Sequence, residues 1–525
     1  MPAFLSLILH AHLPFVRHPE HENFLEESWL YEAITETYLP LVQMLERWQR
    51  DAVPARLTLT LTPTLGSMLN DSLLRDRYTR RLENLIELAA SEVVRTKNNP
   101  RQNAVAQFYS TRLNSIHQTY LAHSRDLIGA LRKFQDAGLI EVITSAATHA
   151  LLPLLADHEP SLRAQILVAK DFHKTWFGRE PRGIWLPECA FTGGMEKILR
   201  EAELRWFVLD THGLLRAKPA PRYGVFAPVF TREGVAAFAR DRLSAGQVWS
   251  RDGGYPGDGR YRDFYRDLGF DLQTDAVKKC LPTPHVKGFT GIKYHRVTGK
   301  TDTKEFYDRA DALRAADEHA AHFLAARLSQ FQSLAETMDR PAHLVAPYDA
   351  ELFGHWWFEG PEFLDAFARR AVQHPARFTL TTPSAYLSAH PTQQITAPAA
   401  SSWGEGGLWD VWVNKTNDWI YPRLRVAQTQ MTSLAQKHFV HAGGLQKRAL
   451  KQAARELLLA QSSDWPFILR NGTHASYARS RVETHLQNFT ALHGQILADK
   501  IAELALAELE ARHNIFPLVN YRYWA

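Results

Sequence analysis

Arg182-Gly-Ile-Trp-Leu-Pro-Glu-Cys-Ala-Phe191 is the stretch on which the reading of this chain turns. Residues 183–186 form a short apolar run of the kind that makes a buried strand. The run ends on a proline and then a carboxylate, Glu188. A buried strand that stops by presenting an acid points to a pocket at the strand's end. A second run has the same form: His343-Leu-Val-Ala-Pro-Tyr-Asp349, followed by His355-Trp-Trp-Phe-Glu359. Two carboxylates at strand ends, with aromatic residues beside both, suggest chemistry on a sugar.

Working outward, further β-rich runs occur at residues 4–9, 57–61, 140–144, 206–209, 235–239, 344–346 and 378–380, with helical patterns such as 161–176 and 195–202 between several of them. Strands alternating with helices imply parallel β/α units. Seven or eight units over some 400 residues favour a closed barrel, whose catalytic groups sit at the C-terminal strand ends. His10, His149, Glu188, Asp210 and Asp349 all fall where an apolar run stops. Residues 71–137 are charged and helical and read as an inserted subdomain. Residues 241–300, rich in Gly, Pro, Tyr and Arg, read as a long irregular loop, and loops of that length are usually functional. Residues 391–402 read as a linker, and 423–461 and 475–512 as amphipathic helical segments of a C-terminal domain. The expected division is therefore a barrel over 1–400, interrupted by 71–137, and a helical domain over 401–525.

Composition narrows the function. With 61 Lys+Arg against 56 Asp+Glu, the net charge is +5 and no block of like charge occurs, which gives no support to nucleic acid as a partner. The 2 cysteines rule out a disulfide framework. No apolar run is long enough for a membrane span, and the N-terminus reads as a first strand without a basic leader. The simplest location is the cytoplasm.

Each candidate residue has a plainer alternative. Glu188 could form an ion pair with a barrel arginine, and Asp349 could cap the helix after it. Taken together they match the two carboxyl groups, roughly 5–5.5 Å apart, of a retaining glycosidase. His10 and His12 lie on one side of the first strand, since side chains alternate. They could hold zinc with a carboxylate, as in a metal-dependent polysaccharide deacetylase, or bond a polar ligand. His149 is equally open between a structural and a functional role. Trp403, Trp409, Trp412 and Trp419 have little apolar periodicity; they suit stacking on sugar faces or packing between domains.

At these residues the chain resembles glycoside hydrolase family 57, and within it the members that branch α-1,4-glucans. The segments that carry the resemblance are His10-Ala-His-Leu-Pro, Glu141-Val-Ile-Thr-Ser-Ala-Ala-Thr-His149, Gly183-Ile-Trp-Leu-Pro-Glu-Cys-Ala, Ala346-Pro-Tyr-Asp-Ala-Glu-Leu-Phe-Gly-His, Ser402-Trp-Gly-Glu-Gly-Gly and Gln461-Ser-Ser-Asp464. The resemblance implies a (β/α)7 barrel with an inserted domain and a helical C-terminal domain that helps close the cleft. It implies a retaining mechanism that needs no metal or cofactor. Glu188 would be the nucleophile and Asp349 the acid/base. His10, His12, His149, Trp403, Trp412 and Asp464 would line the substrate cleft, with Trp29 and Arg262 as further substrate contacts. The substrate would be an α-1,4-glucan serving as donor and acceptor, and the protein a monomer. An α-amylase-like hydrolase would use the same two carboxylates, and a non-catalytic glucan-binding protein would use the tryptophans. Branching members are also expected to close a mobile loop over the site with a tyrosine near its tip. In the candidate loop, 232–252, the first tyrosine comes only at Tyr255.

Overall fold

Each apolar run becomes a strand, and the strands close on themselves. The computed structural model describes residues 2–249, 253–283, 285–301 and 303–525. The strands are β1 (Ala3–Ala11), β2 (Leu57–Leu61), β3 (Ile140–Ser145), β4 (Gly183–Trp185), β5 (Trp206–Leu209), β6 (Val229–Phe230), β7 (Ala236–Ala239), β8 (His343–Asp349), β9 (Phe378–Leu380) and β10 (Gln394–Ile395). Seven are parallel neighbours in the order β7-β5-β4-β3-β2-β1-β8. The circle closes at the Arg240–Val345 bridge, where the Asp241 N–H donates to the Val345 carbonyl at 2.9 Å. The result is a (β/α)7 barrel. Of the others, β9 pairs with Ala3–Leu5 of β1, and β6 runs antiparallel to β7.

The barrel has no pore. Ile8, Ile143, Trp185, Trp206, Val208, Phe238 and Val345 pack into one buried cluster from six strands. Gly183 permits this packing, because a Cβ there would lie 2.2 Å from the Trp206 ring. His10 is two residues beyond Ile8, so it faces the same side and stacks on Trp185 at 4.7 Å. The polar site therefore rests directly on the aromatic plug.

Residues 71–137 fold as three helices, Ser72–Arg95, Pro100–Ala122 and Leu127–Asp136. Asp71, Asn99 and Asp126 cap them by accepting backbone N–H bonds from Leu74, Gln102 and Gly129. Two expectations need correction. Residues 391–402 are not a free linker: β10 pairs with β6, the Phe191 and Ser401 backbones bridge, and Ser401 and Ser402 are fully buried. Residues 241–300 are largely irregular but begin with a helix, Arg242–Trp249. Among the described residues no helix is long and apolar enough to cross a membrane.

The C-terminal helices are Ile420–Lys437, Gly444–Ala460, Asp464–Asn471, Ala475–Leu497 and Glu503–Arg512. The first two are separated at His441-Ala-Gly-Gly444, where the glycines break the pattern. A buried carboxylate, Glu456, ties these helices together. It accepts from His485 Nδ1 and His513 Nδ1, both at 2.7 Å, from Gln452 at 2.8 Å and from Asn488 at 3.2 Å. Burial opposes its charge, yet the two imidazoles and their hydrogen bonds hold it below the ordinary carboxylate range. Burial also pushes His485 down to about 3.

Replacing Glu456 with Ala strands these donors and is expected to cost about 3–5 kcal/mol, read as a lowered urea midpoint. Acidification should act the same way. The unfolded chain takes up protons at His485 below its ordinary 6.5 that the folded chain refuses until about 3. Stability is then complete above pH 6.5 and declines on the way down, with Glu456 adding to the decline at the acid end. A urea midpoint that stays flat between pH 7 and 4 would contradict this.

Candidate active site

The C-terminal ends of five strands converge on one cavity of about 650 Å³. β1 brings His10 and, just beyond, His12; the turn after β3 brings His149; the turn after β4 brings Glu188. β7 leads to Arg240, and β8 ends on Asp349 with Glu351 behind it. The opposite wall comes from Trp403, Val411 and Trp412 and from the helical domain through Asp464, Phe467 and Arg470.

The backbone is strained where these side chains enter. His149, Glu188 and Cys189 have φ of 53°, 63° and 50°. Left-handed non-glycine residues are uncommon, and the surrounding structure must hold them in place. For Glu188 that support comes from Trp403. The Trp403 backbone N–H donates to the Glu188 carbonyl at 2.9 Å, and its indole Nε1–H donates to Oε2 at 2.6 Å. The other carboxylate oxygen lies 3.9 Å from His149 Nδ1.

The histidines form a directional chain. Ser463 donates its hydroxyl proton to the His149 carbonyl at 2.6 Å, so its oxygen accepts from His149 Nδ1–H at 3.1 Å. His149 Nε2 is then an acceptor, and His10 Nε2–H donates to it at 3.0 Å. Burial holds both rings neutral by pushing them well below the ordinary histidine range. His12 stacks on His149 at 3.8 Å. Thr62 accepts from the Leu65 N–H, which leaves its own proton for His12 Nδ1 at 3.0 Å and directs His12 Nε2–H at the Asp464 carboxylate, 3.1 Å away. Burial opposes the Asp464 charge, but His12 brings it below the ordinary range. His12, His149 and Asp464 lie close enough to share a metal ion, but their hydrogen bonds already engage every ring nitrogen.

The two central carboxylates are solvated differently. Glu188, with a fifth of its side chain exposed, is pushed up to about 7 by burial; the indole hydrogen bond works in the other direction. Asp349 has no hydrogen-bond donor among the described residues. Burial, then the charges of Glu351 and Glu188, push it well above the usual carboxylate range, while Arg240 alone opposes them. Glu351 is better held: it accepts from Tyr38 OH at 2.5 Å and from the His12 N–H at 3.1 Å. The site thus offers one carboxylate with a donor on it, suited to ionise, and one without, suited to carry a proton.

Of the residues expected at a site, His10, His12, His149, Glu188, Asp349, Trp403, Trp412 and Asp464 line this cavity. Trp29 and Arg262 do not. Trp29 packs edge-on against His474 and Tyr477. The Arg262 side chain is 1% exposed, donates to Glu36 at 2.8 Å and lies 3.9 Å over the Phe358 ring; an arginine so enclosed cannot reach a ligand. Tyr255 is also elsewhere, stacked on His319 with its hydroxyl 2.7 Å from His322. In the expected loop, residues 250–252 lie outside the described residues, and the aromatic that enters the cavity is Trp249. Trp356, from the His355-Trp-Trp-Phe-Glu359 stretch beside Asp349, also lines the cavity, while Arg240, Trp249, Glu351 and Phe467 are lining residues the sequence reading missed. Arg240 directly follows the apolar run 235–239 and Glu351 lies inside a quoted segment, so both could have been found by the strand-end rule. Trp249 and Phe467 carry no such signal.

A family model described as glycosyl hydrolase family 57 matches residues 6–399. The chain belongs to glycosyl hydrolase family 57. A second model, the C-terminal domain of 1,4-α-glucan branching enzyme, matches 423–524. A 1,4-α-glucan branching enzyme of Thermococcus kodakarensis is 32% identical over 98% of this chain and 78% of its own length. Among solved structures, the α-amylase AmyC of Thermotoga maritima aligns with a TM-score of 0.94 at 41% identity, covering 100% of this chain and 99% of that one. A family 57 branching enzyme of Pyrococcus horikoshii aligns with a TM-score of 0.89 at 31% identity, covering 100% and 97%. This family 57 chain thus shares its whole length with proteins of two reaction outcomes.

Trp403→Phe keeps the ring but removes the donor to Glu188. The Glu188 midpoint is expected to rise above about 7, measured by infrared carboxyl titration with Glu188→Gln as the subtraction reference. An unchanged midpoint would show that the indole bond does not favour the anion.

Proposed function

We propose that the protein is a retaining 1,4-α-glucan branching enzyme. The observation that carries the proposal is the pairing of two differently solvated carboxylates, Glu188 and Asp349, across one aromatic-walled cleft in a family 57 chain with a branching-enzyme C-terminal match. In the first step Glu188 attacks the anomeric carbon of an α-1,4-linked glucan. The glycosidic bond breaks, Asp349 passes its proton to the departing O4, and a glucosyl ester forms on Glu188. In the second step Asp349, now ionised, takes the proton from a 6-hydroxyl of another chain. That oxygen attacks the anomeric carbon, the ester bond breaks, and Glu188 is released as a carboxylate. His10 and His149, neutral and fixed in tautomer by their mutual hydrogen bond, would shape the floor of the sugar site without adding charge beside the nucleophile. No metal is needed for either step, so full activity in chelator is expected.

The proposal includes the organisation stated from the sequence: a barrel over 1–400 interrupted by 71–137, and a helical domain over 401–525 that supplies the Asp464 lip. It extends to a cytoplasmic monomer acting on glycogen-like glucan. A second reading, hydrolysis on the same two carboxylates, is favoured by the likeness to the Thermotoga maritima α-amylase and by the placement of Tyr255 away from the cleft. In that case water would take the place of the 6-hydroxyl.

Amylose incubated with the enzyme should gain α-1,6 linkages, measured by proton NMR and by debranching, with few new reducing ends. Reducing ends alone would establish the hydrolase. Asp349→Asn should lower kcat on the order of 10²–10⁴-fold, and Glu188→Gln at least as much. Glu351→Gln tests the charge beside Asp349. Removing that negative charge lowers the Asp349 pKa, so the alkaline limb of kcat/KM should move to lower pH while KM holds. An alkaline limb that does not move would remove Glu351 from the proton balance.

A further inference from the structure

A second cavity, of about 340 Å³, lies where the Ser72–Arg95 helix meets the loop after β1 and the segment around 278–282. It shares no lining residue with the cleft. Its wall carries Arg77, Arg80, Arg81, Lys278 and Lys279 against two acids, Glu22 and Glu27. Arg77, Arg80 and Arg81 fall at i, i+3 and i+4 of one helix and so share a face, where like charges destabilise.

Internal pairing neutralises only part of this charge. Arg77 donates to both Glu27 oxygens at 2.7 and 2.8 Å, and Glu27 is completed by the His18 N–H and Tyr31 OH. Lys279 pairs with Glu87 at 2.9 Å. Arg81 finds only neutral acceptors, the carbonyls of Cys280, Phe289 and Thr290. The half-buried carboxylate that feels its charge, Glu32, is itself pushed toward the neutral form by desolvation. Arg80 and Lys278 have no hydrogen bond or ion pair among the described residues, and both are exposed. Two unpaired cations and a third facing only carbonyls therefore surround one concavity, against a single unpaired acid, Glu22, among the described residues.

We propose that this pocket binds a small phosphorylated metabolite, a phosphate monoester of a sugar. Guanidinium pairs recognise phosphate oxygens through parallel N–H bonds, and a lysine adds a point charge. The cavity exceeds what a free phosphate fills and falls in the range of small-molecule sites. The remaining wall suits a sugar: Asn23, Ser28 and Asn84 offer polar groups for hydroxyls, and Phe24 and Tyr31 offer apolar faces. Such a ligand would bridge the inserted helices to the 278–282 segment. The proposal is independent of the reaction assigned to the cleft.

The test is calorimetric titration of the full-length protein in low-salt, phosphate-free buffer, with glucose 6-phosphate and inorganic phosphate as separate probes. Saturable binding of the sugar phosphate, at least tenfold tighter than inorganic phosphate, is expected. The Arg80→Ala/Lys278→Ala double variant should lose at least tenfold in affinity while its Tm and its ligand-free turnover of amylose match the parent. No saturable heat with either probe overturns the proposal, as does unchanged affinity in a double variant of parental Tm. Inorganic phosphate binding as tightly as the ester overturns the sugar portion. If the double variant loses its parental Tm, Lys278→Gln alone, at an exposed position of the Lys278–Cys280 turn, must still weaken binding, and unchanged affinity there overturns the assignment.

Discussion

The site depends on a hydrogen-bond chain that crosses from barrel to helical domain. His10 donates to His149, His149 donates to Ser463, and Ser463 returns its proton to the His149 carbonyl. Beside it, His12 donates to Asp464. These bonds are directional, and each has one sense of proton placement. They fix the Ser463–Asp464 corner over the barrel mouth, and without that corner the carboxylates would open to bulk water. The aromatic plug beneath them has the complementary role. Trp185 supports His10 from below, so the polar layer cannot sink into the lumen.

Above this frame, local solvation separates two similar acids. Glu188 receives an indole hydrogen bond and keeps some exposure; Asp349 receives no donor from the described residues and faces two other carboxylates. The difference comes from what surrounds each group, since both are carboxylates at the ends of parallel strands. Arg240 sits between the roles. It closes the barrel at Val345 and is the one cation that moderates Asp349, so closure of the fold and charge in the cleft meet at one residue.

Much of this was legible in the sequence, for physical reasons. Buried parallel strands are short apolar runs, and every run read as a strand became one, because segments covered on both faces carry their signal in local composition. The strand-end rule located Glu188, Asp349, His10 and His149. The Trp403 and Trp412 positions were legible as aromatics without periodicity, although Trp409 and Trp419 turned to packing: Trp409 joins a cluster with Leu151 and Val411, and Trp419 lies under Arg423 and Arg479. What escaped depends on long-range packing. Nothing local distinguishes Arg262 as the partner of Glu36, 226 residues away. Trp249 and Phe467 reach the cleft only through the placement of whole helices, and the 391–402 segment looked unstructured because its partners, β6 and Phe191, are distant in the chain.

The double grip of Trp403 on Glu188 has a consequence for how this enzyme can be altered. One residue supplies a main-chain bond and a side-chain bond to the same strained turn. The orientation of the Glu188 carboxylate is therefore set by the 402–409 loop as much as by the barrel. Such a loop can change in length and composition without disturbing the strands. Relatives with the same barrel can then differ in which acceptor they admit, and a protein engineer would look for the control of that choice in the clamp, outside the barrel strands.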